Sequence, residues 1–307
     1  MKLGTRGSAL ALWQANWTKD ALERRWAGLN VELVRVKTTG DKILDVPLAK
    51  IGGKGLFTKE LDEALLDGRI DLAVHSLKDV PFQLPDGIDF GAIPEREDPR
   101  DALVSKGPRL QELRAGASIG TSSLRRQVQL RHRFPSFNLL TLRGNVDTRL
   151  RKLEAGEFDG IILAAAGLKR LGHEDRVTQF LEDDIMVSAV GQGALGIVCR
   201  STDQETCRLL AALDHQETRT TVMAERGLLR ALGGSCQVPV AGRARIQNTG
   251  LIIKGLIASL DGTRVLTHEI SGPNSDPSAL GIELGRELLA MGAGEILAEI
   301  AQYAADR

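Results

Sequence analysis

Aromatic residues are scarce in this 307-residue chain: 7 Phe, 3 Trp and a single Tyr. Single-stranded nucleic acid is commonly held by aromatic stacking, so the shortage argues against that partner. Net charge is lacking too, because 40 Lys and Arg balance 40 Asp and Glu. No overall field draws the chain to a polyanion or an anionic membrane. Only three cysteines occur, Cys199, Cys207 and Cys236. An odd, sparse set excludes a disulfide framework and fits a reducing compartment. No apolar run approaches the roughly 20 residues of a membrane span. Met1 to Arg6 carry no apolar signal core. The five histidines are scattered, and no Cys/His spacing suggests a metal site. G-x-S-x-G and the P-loop spacing are both absent. These absences predict a cytoplasmic protein without nucleic acid, membrane or metal.

What is present alternates short apolar runs with helical stretches. Val31–Val36, Asp71–His75, Asn138–Leu142 and Ile161–Ala164 read as strands, while Phe57–Leu66 and Val146–Ala155 read as helices. Such alternation predicts α/β layers with mainly parallel sheets. The polar stretch Ile93 to Arg100, with two prolines, suits a crossing between domains, and a second crossing is expected near Val187–Gln192. The last third changes character. A helix over Glu217–Leu232 is followed by strands over Val238–Ile246, Leu251–Leu260 and Val265–Ile270, with Asp261-Gly262 as a hairpin signal. Helices over Ser278–Met291 and Glu295–Tyr303 close an α+β unit with a small antiparallel sheet.

Seven arginines crowd the stretch from Thr121 to Arg151: Arg125, Arg126, Arg131, Arg133, Arg143, Arg149 and Arg151, against one acid, Asp147. Guanidinium grips carboxylate or phosphate with two prongs. Gly120-Thr121-Ser122-Ser123 and Arg143-Gly144-Asn145 both sit at strand-to-helix turns. Free amides at helix starts favour anions. A solvated basic face is the alternative for any single arginine, but two clusters at two turns favour a small polyanion.

Ile51-Gly52-Gly53-Lys54-Gly55 reads as a flexible loop with Lys50 and Lys54 as anion contacts. Gly191 to Gly196 matches G-x-G-x-x-G, yet the apolar run after it ends too soon for the helix a dinucleotide needs. Asp79 follows the strand Asp71–His75, where a carboxylate can stabilise a cation or move a proton; a turn residue before Pro81 is the other reading. Cys236 lies in a glycine-hinged loop after a helix, as a nucleophile, an attachment point or an inert thiol. Cys199 and Cys207 suit the inert role.

Together these stretches resemble the porphobilinogen deaminase (hydroxymethylbilane synthase) family. The resemblance rests on Gly4 to Ala11, Lys50 to Phe57, Ala73 to Pro81, Gly120 to Gln127, Leu142 to Val146, Ala166 to Leu171, Gly191 to Gly193 and Gly234 to Pro239, in family order. It implies a transferase that joins four porphobilinogen molecules head to tail, losing ammonia each time, and yields hydroxymethylbilane for tetrapyrrole synthesis. It implies a dipyrromethane cofactor on a thioether to Cys236, and Asp79 as catalytic carboxylate. Arg6, Arg125, Arg126, Arg143, Arg149 and Arg170 match anion-binding positions, with Ser8, Lys50, Lys54, Thr121, Ser122, Ser123 and Gln192 adding charge or hydrogen bonds. The implied fold is two alike α/β domains, similar to periplasmic binding proteins, around a cleft, plus a C-terminal α+β domain. The expected limits are 1–94 plus 193–213, 100–188 and 217–307. A monomer is expected. A periplasmic-type anion-binding protein would share the cleft but need a signal peptide. A cysteine hydrolase would need a base such as His215 beside Cys236.

Overall fold

The computed structural model describes residues 1–42, 55, 57–233 and 238–305. Lys50, Lys54 and Cys236 lie outside the described residues.

The chain opens with β1 (Lys2–Thr5) and α1 (Ala9–Arg25). Ser8 starts that helix, its Oγ accepting from the Ala11 amide, which the helix itself leaves unpaired. β2 (Glu32–Arg35), α2 (Thr39–Lys42), α3 (Lys59–Leu66), β3 (Leu72–Ser76) and β4 (Ile88–Ala92) complete the first pass. The chain then crosses to a second layer. This layer holds β5 (Asp101–Ser105), β6 (Ser118–Gly120), α4 (Leu124–Arg133), β7 (Asn138–Leu140), α5 (Val146–Glu154), β8 (Gly160–Ala164), α6 (Ala165–Arg170) and β9 (Gln179–Leu181). It returns to the first layer for β10 (Leu195–Arg200) and α7 (Gln204–Ala211).

The first sheet has the order β2-β1-β3-β10-β4 and the second β7-β6-β8-β5-β9. The two follow one plan. Three strands run parallel, and the next strand is antiparallel to both its neighbours. This corrects the expectation of mainly parallel sheets, since each sheet is half antiparallel by pairing. The reason is the route of the chain. A parallel neighbour needs a crossover helix on its own sheet. β5 and β10 instead arrive directly from the other layer, through the two crossings.

The third unit begins with α8 (Gln216–Ala231). β11 (Val240–Gln247), β12 (Gly250–Ala258) and β13 (Val265–Pro273) form an antiparallel sheet in that order. The turn at Asp261-Gly262 joins the last two, as its sequence predicts. α9 (Pro277–Leu288) and α10 (Gly294–Ala305) follow, linked through a wider turn at Leu289–Ala293. Leu228, Leu251, Ile253, Ile257, Leu284 and Leu288 pack α8 and α9 on the sheet and are buried. Each such side chain contributes about 1.5–3 kcal/mol.

Candidate active site

β3 lies in the middle of the first sheet, and one turn of 3-10 helix, Leu77–Asp79, follows it. Asp79 is half-buried there. Lys78 beside it donates from Nζ to Gln192 Oε1 at 3.3 Å. Burial pushes the Lys78 ammonium down to about 8, although the Asp79 and Asp101 carboxylates pull the other way.

Arg125 and Arg126 open α4 and are both buried. Their forks close on Asp101, the fully buried first residue of β5. Arg125 Nη1 reaches Asp101 Oδ2 at 2.7 Å, and Arg126 Nε and Nη2 reach Oδ1 at 2.9 and 2.7 Å. Arg125 also donates to the Val187 carbonyl and Arg126 to that of Ile162. Gln192, fully buried, donates to Asp101 Oδ1 at 3.0 Å and to the Pro99 carbonyl at 2.8 Å. Burial alone would raise the Asp101 carboxyl, but the two guanidinium groups hold it well below the usual carboxylate range. Two cations around one anion leave one positive charge in excess.

The remaining arginines of the resemblance are held by separate contacts. Arg149 donates from Nε to the Gly144 carbonyl at 2.8 Å. Burial pushes it down to about 10; Arg126 and Arg143 add to that, and Asp79 opposes them. The Asp79 carboxylate of the first layer therefore lies near enough to Arg149 of the second to act on it. Arg143 is half-buried between β7 and α5. Arg170 ends α6 and donates to the Gly193 carbonyl at 2.6 Å, with its guanidinium 5.6 Å from the Trp13 ring. Arg6, just after β1, lies 4.3 Å over the Phe57 ring. Thr121 is buried and its Oγ1 accepts from the Ser123 amide at 3.3 Å, while Ser122 Oγ donates to the Leu142 carbonyl. Ser8 spends its hydroxyl on the α1 cap.

Sequence reasoning missed the partners that fix these groups. Asp101 stands next to the polar crossing and Lys78 next to Asp79, and neither was read as a site residue. Arg96 and Glu225 were missed as well. Glu225 is fully buried on α8 and accepts from Arg96 Nη1 at 2.6 Å, the Gly191 amide at 2.7 Å and the Ala244 amide at 2.9 Å. The one available signal was Lys78, adjacent to a candidate catalytic acid.

Two rival readings lose ground. Gly191 to Gly196 leads into strand β10, with no helix to meet a dinucleotide phosphate. His215 caps the start of α8, and residue 236 comes after the other end of that helix. Among the described residues no group of three or more His, Cys, Asp or Glu is placed to hold a metal. No helix among them is long and apolar enough to cross a membrane.

Comparison with known proteins shows the family. Residues 1–208 match the family model described as porphobilinogen deaminase, dipyromethane cofactor binding domain, and residues 219–290 match its C-terminal domain. A porphobilinogen deaminase of Geobacter sulfurreducens is 53% identical over 307 residues, covering 100% of this chain and 96% of that protein. One of Moorella thermoacetica is 54% identical over 301 residues, covering 98% and 96%. Among solved structures, the substrate-binding domain of a putative molybdenum ABC transporter from Clostridium difficile matches with a TM-score of 0.42 and 9% identity, covering 69% of this chain and 91% of that one. That likeness is too low to carry an argument, whereas full-length identity above half is not. The chain belongs to the porphobilinogen deaminase family.

Proposed function

We propose that porphobilinogen is condensed in the cleft between the two α/β layers, with Asp79 as the carboxylate of the reaction. One observation supports this reading: the Asp79 carboxylate is near enough to act electrostatically on Arg149 of the opposite layer and on Lys78 beside it. A carboxylate beside several cations suits a substrate that is itself both acidic and, during reaction, cationic. Each pyrrole carries acetate and propionate groups, and Arg143, Arg149, Arg170 and Lys78 supply charge-assisted donors for them. Arg6, Ser8, Lys50 and Lys54 are assigned to the same task from the first layer.

The donor set also fits a dipyrromethane cofactor, whose carboxylates need cations and whose ring N–H groups need an acceptor. Arg125, Arg126, Thr121, Ser122, Ser123 and Gln192 would hold the carboxylates, and Asp79 would accept from the rings. Held through Cys236, the cofactor would supply a free ring carbon as the first nucleophile. In each addition the C–N bond of the substrate's aminomethyl group breaks and ammonia leaves with the electron pair. A delocalised cation remains on that substrate. A ring carbon of the bound pyrrole would then form the new C–C bond to the substrate's aminomethyl carbon and give up its proton, which restores the ring. The Asp79 carboxylate gains most when the cation is fully developed, so it lowers the barrier more than it favours the ground state. The reading includes domain limits of 1–94 plus 193–213, 100–188 and 217–307, and a cytoplasmic monomer. The three separate sheets support those limits.

The test is porphobilinogen turnover by Asp79→Asn and Asp79→Glu, with circular dichroism to establish folding. Asp79→Asn is expected to lose about a hundred- to a thousandfold in rate, and Asp79→Glu less. A folded Asp79→Asn enzyme within a few-fold of the parent would remove Asp79 from the reaction. Intact mass under denaturing conditions should show the cofactor adduct on the parent, Cys199→Ser and Cys207→Ser, and none on Cys236→Ser.

A further inference from the structure

The turn that presents Asp79 is held from outside: Leu77 is buried with Ile93, Ala194 and Val222. It is a single turn of 3-10 helix, and such pieces are marginal alone. Pro81 follows two residues later, so the chain leaves the turn with no amide at that position. On the N-terminal side, the Leu77 amide donates to the Ala194 carbonyl at 3.0 Å. On the C-terminal side, support comes from the third unit. Arg226 on α8 donates from Nη2 to the carbonyls of Pro81 and Phe82, both at 2.7 Å, and Nη1 lies 3.4 Å from that of Val80. Its guanidinium sits 4.9 Å from the Phe90 ring.

Arg226 is 6% exposed. Burial pushes it down to about 10, which leaves it charged at neutral pH. Among the described residues, no hydrogen bond or ion pair to a carboxylate is found for it. A buried guanidinium aimed at carbonyls is a costly way to gain stability. What a rigid planar fork gives is geometry, here over three consecutive peptide groups. The helix carrying it is itself fixed. The neighbouring Glu225 is tied to Arg96 on one crossing and to Gly191 on the other.

We infer that Arg226 is a positioning residue, which sets the place of the Asp79 carboxylate by holding the carbonyls of residues 80–82. The inference rests on Asp79 being the carboxylate of the reaction. Arg226 does not touch the reacting atoms; it acts through the turn.

A double-mutant cycle on holoenzyme tests this, using Arg226→Gln, Asp79→Asn and the double variant. Cofactor loading is checked by mass, and kcat and KM are measured with porphobilinogen. Arg226→Gln is expected to lower kcat by about ten- to a hundredfold, with KM within about threefold of the parent. Arg226→Lys keeps the charge and can reach one carbonyl, so it should recover part of the loss. In the Asp79→Asn background, Arg226→Gln should cost less than about threefold, because no carboxylate is left to place. A kcat within about twofold of the parent overturns the inference. So do losses that multiply in the double variant, which is the pattern of a purely structural anchor. If Arg226→Gln does not accumulate folded, the same cycle is run with Arg226→Lys and decided on the same outcomes. If Asp79→Asn alone keeps the parent rate, the assignment of Asp79 falls and the inference falls with it; that result is distinct from the other two.

Discussion

The Lys78 ammonium is half-buried, and Gln192 Oε1 lies 3.3 Å from it. Burial brings its pKa to about 8, with Asp79 and Asp101 opposing the shift. Below that pH the side chain is a cation in the cleft and attracts the substrate's carboxylates. Above it the charge goes. KM for porphobilinogen should therefore rise as pH passes about 8. Lys78→Gln should raise KM about tenfold at neutral pH, the loss of one charge-assisted contact, and remove the rise. Steady-state kinetics from pH 6.5 to 9.5 check this; an unchanged KM in the variant would exclude Lys78 from substrate binding. The stability sign is separate. An unfolded lysine keeps its proton to about 10.4. Between about 8 and that value the unfolded chain binds more protons, so the contribution of Lys78 to stability rises with pH there. Such behaviour was not legible in the sequence. Residue types and their adjacency to Asp79 were visible, but the depth of burial was not. Asp101 was hidden for a related reason. Its partners stand 24 and 25 residues further on, and only the tertiary fold joins them.

At the scale of elements, α4 shows what a charge count cannot see. Seven arginines read as two clusters at two turns, and the structure divides them differently. Arg125 and Arg126 turn inward to Asp101, while Arg131 donates to the Leu260 carbonyl of the β12–β13 turn at 2.6 Å. His132 Nδ1 lies 3.1 Å from the Gly262 carbonyl of that turn. Arg151 donates to Thr148 on its own helix. The two ends of α4 therefore serve different units: Arg125 and Arg126 meet Asp101, and Arg131 and His132 meet the β12–β13 turn. The helix itself was legible, because its start signal and apolar spacing are local. The role of α8 was legible only as a helix. Glu225 on it accepts from Arg96, Gly191 and Ala244, with no exposed surface. Glu225→Gln keeps the shape, removes the charge, and turns an NH2 toward groups that donate. Removing one partner of a buried ion pair costs about 3–5 kcal/mol. Urea denaturation should show the variant less stable by that order. A loss below about 1 kcal/mol would mean that Arg96 finds another acceptor.

At the scale of the molecule, the two crossings decide how the layers face each other. Both were legible as places, from the prolines and charges of residues 93–100 and the glycines near 191. Their lacing was not. The Glu97 amide donates to the Gly193 carbonyl at 3.2 Å, and Arg170 donates to the same oxygen. Arg96 Nε donates to the Gln192 carbonyl at 2.7 Å. Lys169 pairs with Glu97 at 2.9 Å. Gly193 sits where these strands touch. Its φ is +86°, and a Cβ placed on it would stand 2.2 Å from the Glu97 carbonyl oxygen. Gly193→Ala therefore meets two penalties. The left-handed backbone costs about 1–2 kcal/mol, and the two crossings must move apart. Gly172 separates these effects, since its φ is +73° with nothing within 4 Å of a Cβ. Gly172→Ala should show the backbone penalty alone and near-parent turnover. Gly193→Ala should melt roughly 5 °C or more below Gly172→Ala and lose kcat, because shifted crossings shift Arg170 and the second-layer arginines away from Asp79. Thermal melts and porphobilinogen turnover of both variants decide it. Equal melting points and equal rates would show that the layers hold their spacing without the contact between Gly193 and Glu97.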